Sequence, residues 1–98
     1  MTITKTQNGS NLEIVLEGRL DTNTAPQLDK ELRDSMESAR SLTLDFSKLN
    51  YISSASLRVL LTAHKEMAQK DGMKVKGANR TIRDVFDVTG FSDMLTLV

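Results

Sequence analysis

Short apolar segments of period two alternate along this chain with longer segments of period three to four, and that alternation decides the class of fold. Ile3 sits among threonines and Lys5 over Met1–Gln7, Asn8-Gly9 follows, and Leu12, Ile14 and Leu16 then recur at every second position. Such a pattern around Asn-Gly predicts a β-hairpin. Gly18–Thr24 reads as a loop in which Thr24 caps a helix over Ala25–Ala39, with Pro26 tolerated in the first turn. Leu28, Leu32, Met36 and Ala39 form its apolar stripe. Leu42, Leu44 and Phe46 mark a strand over Ser41–Phe46, and Ser47, Lys48 and Asn50 supply a turn. Leu57, Leu60, Leu61, His64, Met67 and Ala68 trace a second helix that ends at Gly72. Met73–Gly77 is a short strand, and Asn79 caps a third helix carrying Ile82, Val85 and Phe86, closed by Gly90. Phe91 and Met94–Val98 supply a last short strand or extended tail.

The predicted order is β-β-α-β-α-β-α-β, in which each helix separates two strands. Strands joined by such crossovers are parallel, and the hairpin adds one antiparallel edge. The expectation is an α/β fold: a single domain over residues 1–98 with a mixed, mostly parallel β-sheet. In open sheets of this kind partners meet the carboxyl ends of the strands and the amino ends of the helices. That edge carries Asp21–Thr24 and Asn50–Ser56, so Asp21, Thr24, Asn50 and Ser53 are candidate partner-binding residues.

Composition narrows the functions open to such a domain. Thirteen Lys plus Arg balance thirteen Asp plus Glu, so no overall field draws nucleic acid or an anionic membrane. The chain has no cysteine, which removes disulfides, thiolate metal sites and a cysteine nucleophile. No apolar run approaches the ~20 residues of a membrane span, and the polar opening MTITKTQNGS has no signal-peptide core. A cytoplasmic location is expected. The four aromatic residues do not interleave with basic ones, and the five glycines form no phosphate-cradling run.

Ser53-Ser54-Ala55-Ser56 at the start of the second helix is the most unusual local feature. It has two readings. One serine could cap the helix while the others are small exposed residues. Alternatively, unpaired donors at a helix start could hold a phosphate placed on Ser54, adding about −1.5 to −2 charges to the exposed edge. His64, the single histidine, lies within or beside an apolar stripe and reads as a packing residue. It is a poor base for Ser54, since ten residues of helix separate the two by ~15 Å, and no Gly-x-Ser-x-Gly elbow is present. Asp21 and Asp45 each end a predicted strand, where they could pair to bind magnesium or a proton, or cap turns. No catalytic residue, metal or cofactor is expected.

Three blocks, in this order, resemble the STAS domain family, named for sulfate transporters and anti-sigma factor antagonists. They are Leu16-Glu17-Gly18-Arg19-Leu20-Asp21 leading into Thr24-Ala25; Leu44-Asp45-Phe46-Ser47 with Tyr51-Ile52-Ser53-Ser54-Ala55-Ser56-Leu57-Arg58-Val59-Leu60-Leu61; and Val85-Phe86-Asp87-Val88-Thr89-Gly90-Phe91. In antagonist members the serine three places before the leucine of the second block accepts phosphate, which implies Ser54. Two positions depart from the family pattern. Ser53 stands where many members carry aspartate, and Ser56 where glycine is usual.

The resemblance implies a non-enzymatic partner switch. Unphosphorylated, such an antagonist sequesters an anti-sigma factor that is a serine kinase; phosphorylated, it lets go until a serine phosphatase restores it. Ser53, Ser54 and Ser56 then join Asp21, Thr24 and Asn50 on the partner surface. An alternative within the family is the STAS subunit of a bacterial phospholipid-transport ABC complex, which needs no phosphate. A phosphocarrier of a sugar phosphotransferase chain would require an exposed histidine at a helix start, whereas His64 falls mid-helix.

Overall fold

The expected hairpin forms, with Gly9 and Ser10 as its turn: in a computed structural model describing residues Met1–Val98, β1 (Thr2–Asn8) and β2 (Asn11–Leu20) pair antiparallel. The chain continues through α1 (Ala25–Ser35), β3 (Ser41–Ile52), α2 (Leu57–Ala68), β4 (Met73–Lys76), α3 (Arg80–Thr89), α4 (Phe91–Met94) and β5 (Thr96–Leu97). The sheet order is β1-β2-β3-β4-β5, and every pairing after the hairpin is parallel.

This order never reverses, and a constant crossover hand therefore stacks the connecting helices on one face of the sheet. The burial pattern agrees. Leu12, Ile14 and Leu16 of β2, Leu42, Leu44 and Phe46 of β3, and Met73 and Val75 of β4 are buried, joined by Leu28 and Leu32 of α1, Leu60, Ala63 and Met67 of α2, and Ile82 and Phe86 of α3. The Phe46 and Phe86 rings lie 6.5 Å apart, so α3 packs directly on the centre of β3. The alternate residues Glu13, Asp45 and Lys76 face the other way, with Lys76 Nζ 3.6 Å from Glu13 and 3.9 Å from Asp45. One face of the sheet is thus apolar and helix-covered, the other polar.

Four sequence expectations change. β3 does not stop at Phe46 but runs twelve residues to Ile52, so Ser47, Lys48 and Asn50 lie in a strand, not a turn. Two register shifts against β2 account for the difference: Val15 pairs with Asp45 but Glu17 with Lys48, and Gly18 pairs with Leu49 but Arg19 with Tyr51. Each shift inserts an extra β3 residue, and the buried positions change spacing from two to three at Leu49 and Ile52. β2 likewise extends through Gly18-Arg19-Leu20, leaving Asp21–Thr24 as the loop. The first helix ends at Ser35, after which Met36–Ser38 tightens into a 3₁₀ turn; Lys70 Nζ closes it by donating to the carbonyls of Met36 (2.7 Å) and Ala39 (2.8 Å). Phe91–Met94 forms a helical turn rather than extended chain, and only Thr96–Leu97 joins the sheet.

Asn79 caps α3 as expected, its Oδ1 accepting from Ile82 N at 2.9 Å while its Nδ2 donates to the Leu49 carbonyl at 3.2 Å. The cap therefore also fastens α3 to the bulged half of β3. Just before it, Gly77 has φ +74, and a Cβ there would sit 2.9 Å from Ser47 Cβ and 3.0 Å from Ser47 backbone atoms. Gly77→Ala should destabilise the fold by about 1–3 kcal/mol from the left-handed backbone alone, with the clash in addition. Denaturant unfolding measures this; an unchanged midpoint would show that the close approach of β3 and the β4–α3 loop is dispensable.

Candidate functional site

At the carboxyl edge, β2 and β3 end side by side as Leu20 and Ile52, which are register partners. The next residues of each strand are joined through one atom. Leu20 O accepts from Ser53 N at 2.9 Å and from Ser56 Oγ at 3.2 Å. The β2–α1 loop and the serine turn before α2 are in this way held together, which places Asp21, Thr24 and Ser53 on one surface as the topology implies.

Asp21 organises the first loop. Its Oδ1 accepts from Asn23 N at 2.9 Å and Thr24 N at 3.1 Å, while Thr24 Oγ1 accepts from Asp21 N at 2.9 Å. This reciprocal arrangement has the logic of a capping box. Thr24 does not cap α1 in the expected way: its side chain makes no forward bond into the helix, and its hydroxyl instead donates back to the Arg19 carbonyl at 2.8 Å. Asp45, the other strand-end candidate, accepts from Ser47 N at 2.9 Å within β3 and belongs to the polar sheet face. The two aspartates do not form one site.

Ser54–Ser56 is a 3₁₀ turn leading into α2. Ser53 is its cap, with Oγ accepting from Ser56 N at 3.3 Å. Ser56 is 1% exposed, and its hydroxyl donates to the Ser53 carbonyl at 2.7 Å as well as to Leu20 O. Its expected place among the contact residues is therefore corrected: Ser56 is a buried fastener, out of a partner's reach. Ser54 has the opposite environment. It is exposed, and its hydroxyl makes no hydrogen bond within the protein. Asn50 is exposed on β3 as the extra residue of the second bulge.

An arginine–tyrosine stack and two grooves complete the edge. The Arg19 guanidinium lies 4.3 Å over the Tyr51 ring, and its Nε is 3.7 Å from Asp21. A shallow groove beside Ser54 is lined by Tyr51, Ile52, Asp84, Val85 and Val88, and Val88 is 86% exposed. On the other side a second groove runs between Pro26 of α1 and Ala55, Arg58 and Val59. Arg19 and Tyr51 become neighbours only through the second bulge, so period-two counting from Phe46 gives no hint of the pair. His64 is far from this edge, half-buried in α2 with Nδ1 unpartnered, beside a cleft lined by Asn11, Ser41 and Lys74.

The carboxyls of Asp21 and Asp45 both titrate below the ordinary range. At Asp21 desolvation pushes upward, but the donors from Thr24 and Asn23 and the Arg19 charge outweigh it. At Asp45 desolvation is likewise outweighed, by Ser47 and then by Lys76 and Lys48. Since both are more acidic folded than unfolded, their stabilisation is complete above the unfolded value near pH ~4 and is lost as pH falls through the folded values. Melting temperature should therefore drop below about pH 4, and Asp21→Asn and Asp45→Asn should each flatten that drop. Thermal melts from acid to neutral pH check this; a wild-type slope in both variants would contradict it.

The chain matches the family model described as "Mlab, STAS domain" over residues 3–97. It is 37% identical over 78 residues to a protein of Bordetella bronchiseptica named as an anti-sigma factor antagonist, BtrV, covering 78% of this chain and 67% of that one. The anti-sigma-B factor antagonist of Bacillus subtilis is 24% identical over 92 residues, covering 93% and 84%. Among solved structures, the Bacillus anti-sigma factor antagonist SpoIIAA superposes with a TM-score of 0.84 in its unphosphorylated form, at 17% identity over 99% of this chain and 88% of that one. Its phosphorylated form superposes with a TM-score of 0.75, again at 17% identity, over 99% and 91%. With the family model spanning nearly every residue and the singly wound sheet shared with these structures, the chain belongs to the STAS domain family.

Proposed function

We propose that this protein is an anti-sigma factor antagonist that works as a partner switch. Its carboxyl edge binds an anti-sigma factor with serine-kinase activity, phosphorylation of Ser54 by that kinase releases it, and a serine phosphatase resets it. The observation that carries this reading is the division of labour within Ser53-Ser54-Ala55-Ser56: Ser53 and Ser56 spend their hydroxyls inside the turn, and Ser54 presents a free one to solvent. The names of the relatives, antagonists of anti-sigma factors, support the same role.

The surface suits protein contact. Because the strand order never reverses, the sheet has no crevice at a switch point, where small ligands bind in doubly wound folds. What surrounds Ser54 is a pair of shallow grooves with exposed Val88, Arg58 and the Arg19–Tyr51 stack. Arginine and tyrosine are the side chains that most often anchor protein interfaces. No helix is long and apolar enough to cross a membrane.

Release follows from charge. Once the edge is docked, a phosphate on Ser54 becomes an anion in a poorly solvated contact beside Asp84, and an uncompensated buried charge costs several kcal/mol. The fold itself has no reason to change, since an anion at the start of α2 interacts favourably with the helix dipole.

Ser54→Asp should therefore bind the anti-sigma factor at least about tenfold more weakly than wild type, a loss of ~1.4 kcal/mol. Ser54→Ala should bind as wild type and resist switching off, and both variants should melt close to wild type. Titration calorimetry at fixed salt, with enzymatically phosphorylated protein alongside, decides the matter. Undiminished binding by the phosphorylated protein would refute the switch and favour a phosphate-independent role such as a transporter subunit.

A further inference from the structure

Building on the reading of Ser54 as a kinase substrate, we propose that Ser56 is a specificity-determining residue: it confines phosphorylation to Ser54 by occupying the hydroxyl of Ser53. Ser53 lies one residue from the acceptor and is only half-buried, so a kinase seated over Ser54 has a second serine within close range. Sequence alone does not separate the two. Their hydrogen bonding does.

The hydroxyls of the turn form a directed chain. Ser56 Oγ gives its own proton to the Ser53 carbonyl at 2.7 Å, shared with Leu20 O at 3.2 Å, and so faces Ser53 as an acceptor. Ser53 Oγ donates to it at 3.2 Å while accepting from Ser56 N at 3.3 Å. The Ser53 oxygen thus has its proton committed and one lone pair taken. Ser56 is itself buried, at 1% exposure.

Phosphoryl transfer makes two demands that this arrangement denies to Ser53. The serine oxygen must approach the γ-phosphorus of a nucleoside triphosphate in line as the bond to the bridging oxygen breaks, and the hydroxyl proton must pass to a base of the kinase as the nucleoside diphosphate leaves. At Ser53 the proton is held by Ser56 and the oxygen is turned toward the backbone. At Ser54 both are free. Ser56 also fixes the acceptor turn to β2, so without its hydroxyl only the Ser53 N–H to Leu20 O bond, at 2.9 Å, spans the two loops.

The test maps phosphate by fragmentation mass spectrometry after treatment with the cognate kinase and ATP. Wild type should carry its phosphate on Ser54 with no more than a trace on Ser53, and Ser54→Ala should show no more than that trace. Ser56→Ala and Ser56→Gly should show Ser53 phosphate at least about fivefold above wild type, the change that loss of one hydrogen bond produces. The double variant Ser54→Ala/Ser56→Ala should accept phosphate on Ser53, which a merely structural role for Ser56 does not predict. Confinement to Ser54 in both Ser56 variants would overturn the proposal, as would Ser53 phosphate in Ser54→Ala. Thermal melts establish that the Ser56 variants fold; if neither does, Ser53 phosphate in Ser54→Ala still overturns the proposal. Wild type left unphosphorylated by a kinase that binds it would instead refute the function proposed above, so the two failures are distinct.

Discussion

The carbonyl of Leu20 is the junction on which the carboxyl edge depends. It ends β2, and it accepts both the Ser53 amide and the Ser56 hydroxyl. Both lone pairs of this carbonyl are engaged, so the turn cannot move from the end of β2 without losing a hydrogen bond. Two loops distant in sequence, Asp21–Thr24 and Ser53–Ser56, in consequence lie side by side on one surface. Ser54 projects from it without contributing to it.

That junction is positioned by the irregularity of β3. A regular strand would carry one alternation from Ser41 to Ile52, and Leu49 would then point away from the helices. The first bulge turns Leu49 into the core, and the second returns Ile52 to it and brings Tyr51 opposite Arg19. Asn79 holds the Leu49 carbonyl between them, so α3 and the groove beside Ser54 are referenced to the same stretch of strand. The site is built where the sheet is least regular, and its neighbours Gly77 and Ser47 meet at backbone contact distance.

Much of this was legible in the residues. Leu28 and Leu32, Leu60 and Met67, and Ile82 and Phe86 stand at helical spacing and are buried as that spacing implies, and the order of elements leaves little choice of topology. The β3 extension was not, because bulges break the period-two pattern on which strand reading rests; Ser47, Lys48 and Asn50 then look like turn residues. Thr24 and Ser56 illustrate a second limit. Both have residue types that favour helix caps, and whether such a hydroxyl faces forward, backward or into the core depends on a carbonyl from another segment: Arg19 O for Thr24, Leu20 O for Ser56. The resemblance of the serine run to its family implies Ser54 as the acceptor we propose, and the hydrogen bonding of Ser53 and Ser56 gives a physical reason why they are less suited to that role.

The proposed switch is a change of charge on a fixed platform, which amide hydrogen exchange on the two forms of the protein can check. The Ser53 amide, bonded to Leu20 O, and the Ser56 amide, bonded to the Ser53 carbonyl and side chain, should keep their protection when Ser54 is phosphorylated. Loss of protection at both, with the core strands unchanged, would mean that phosphate releases the partner by unfastening the turn, and would contradict the fixed platform.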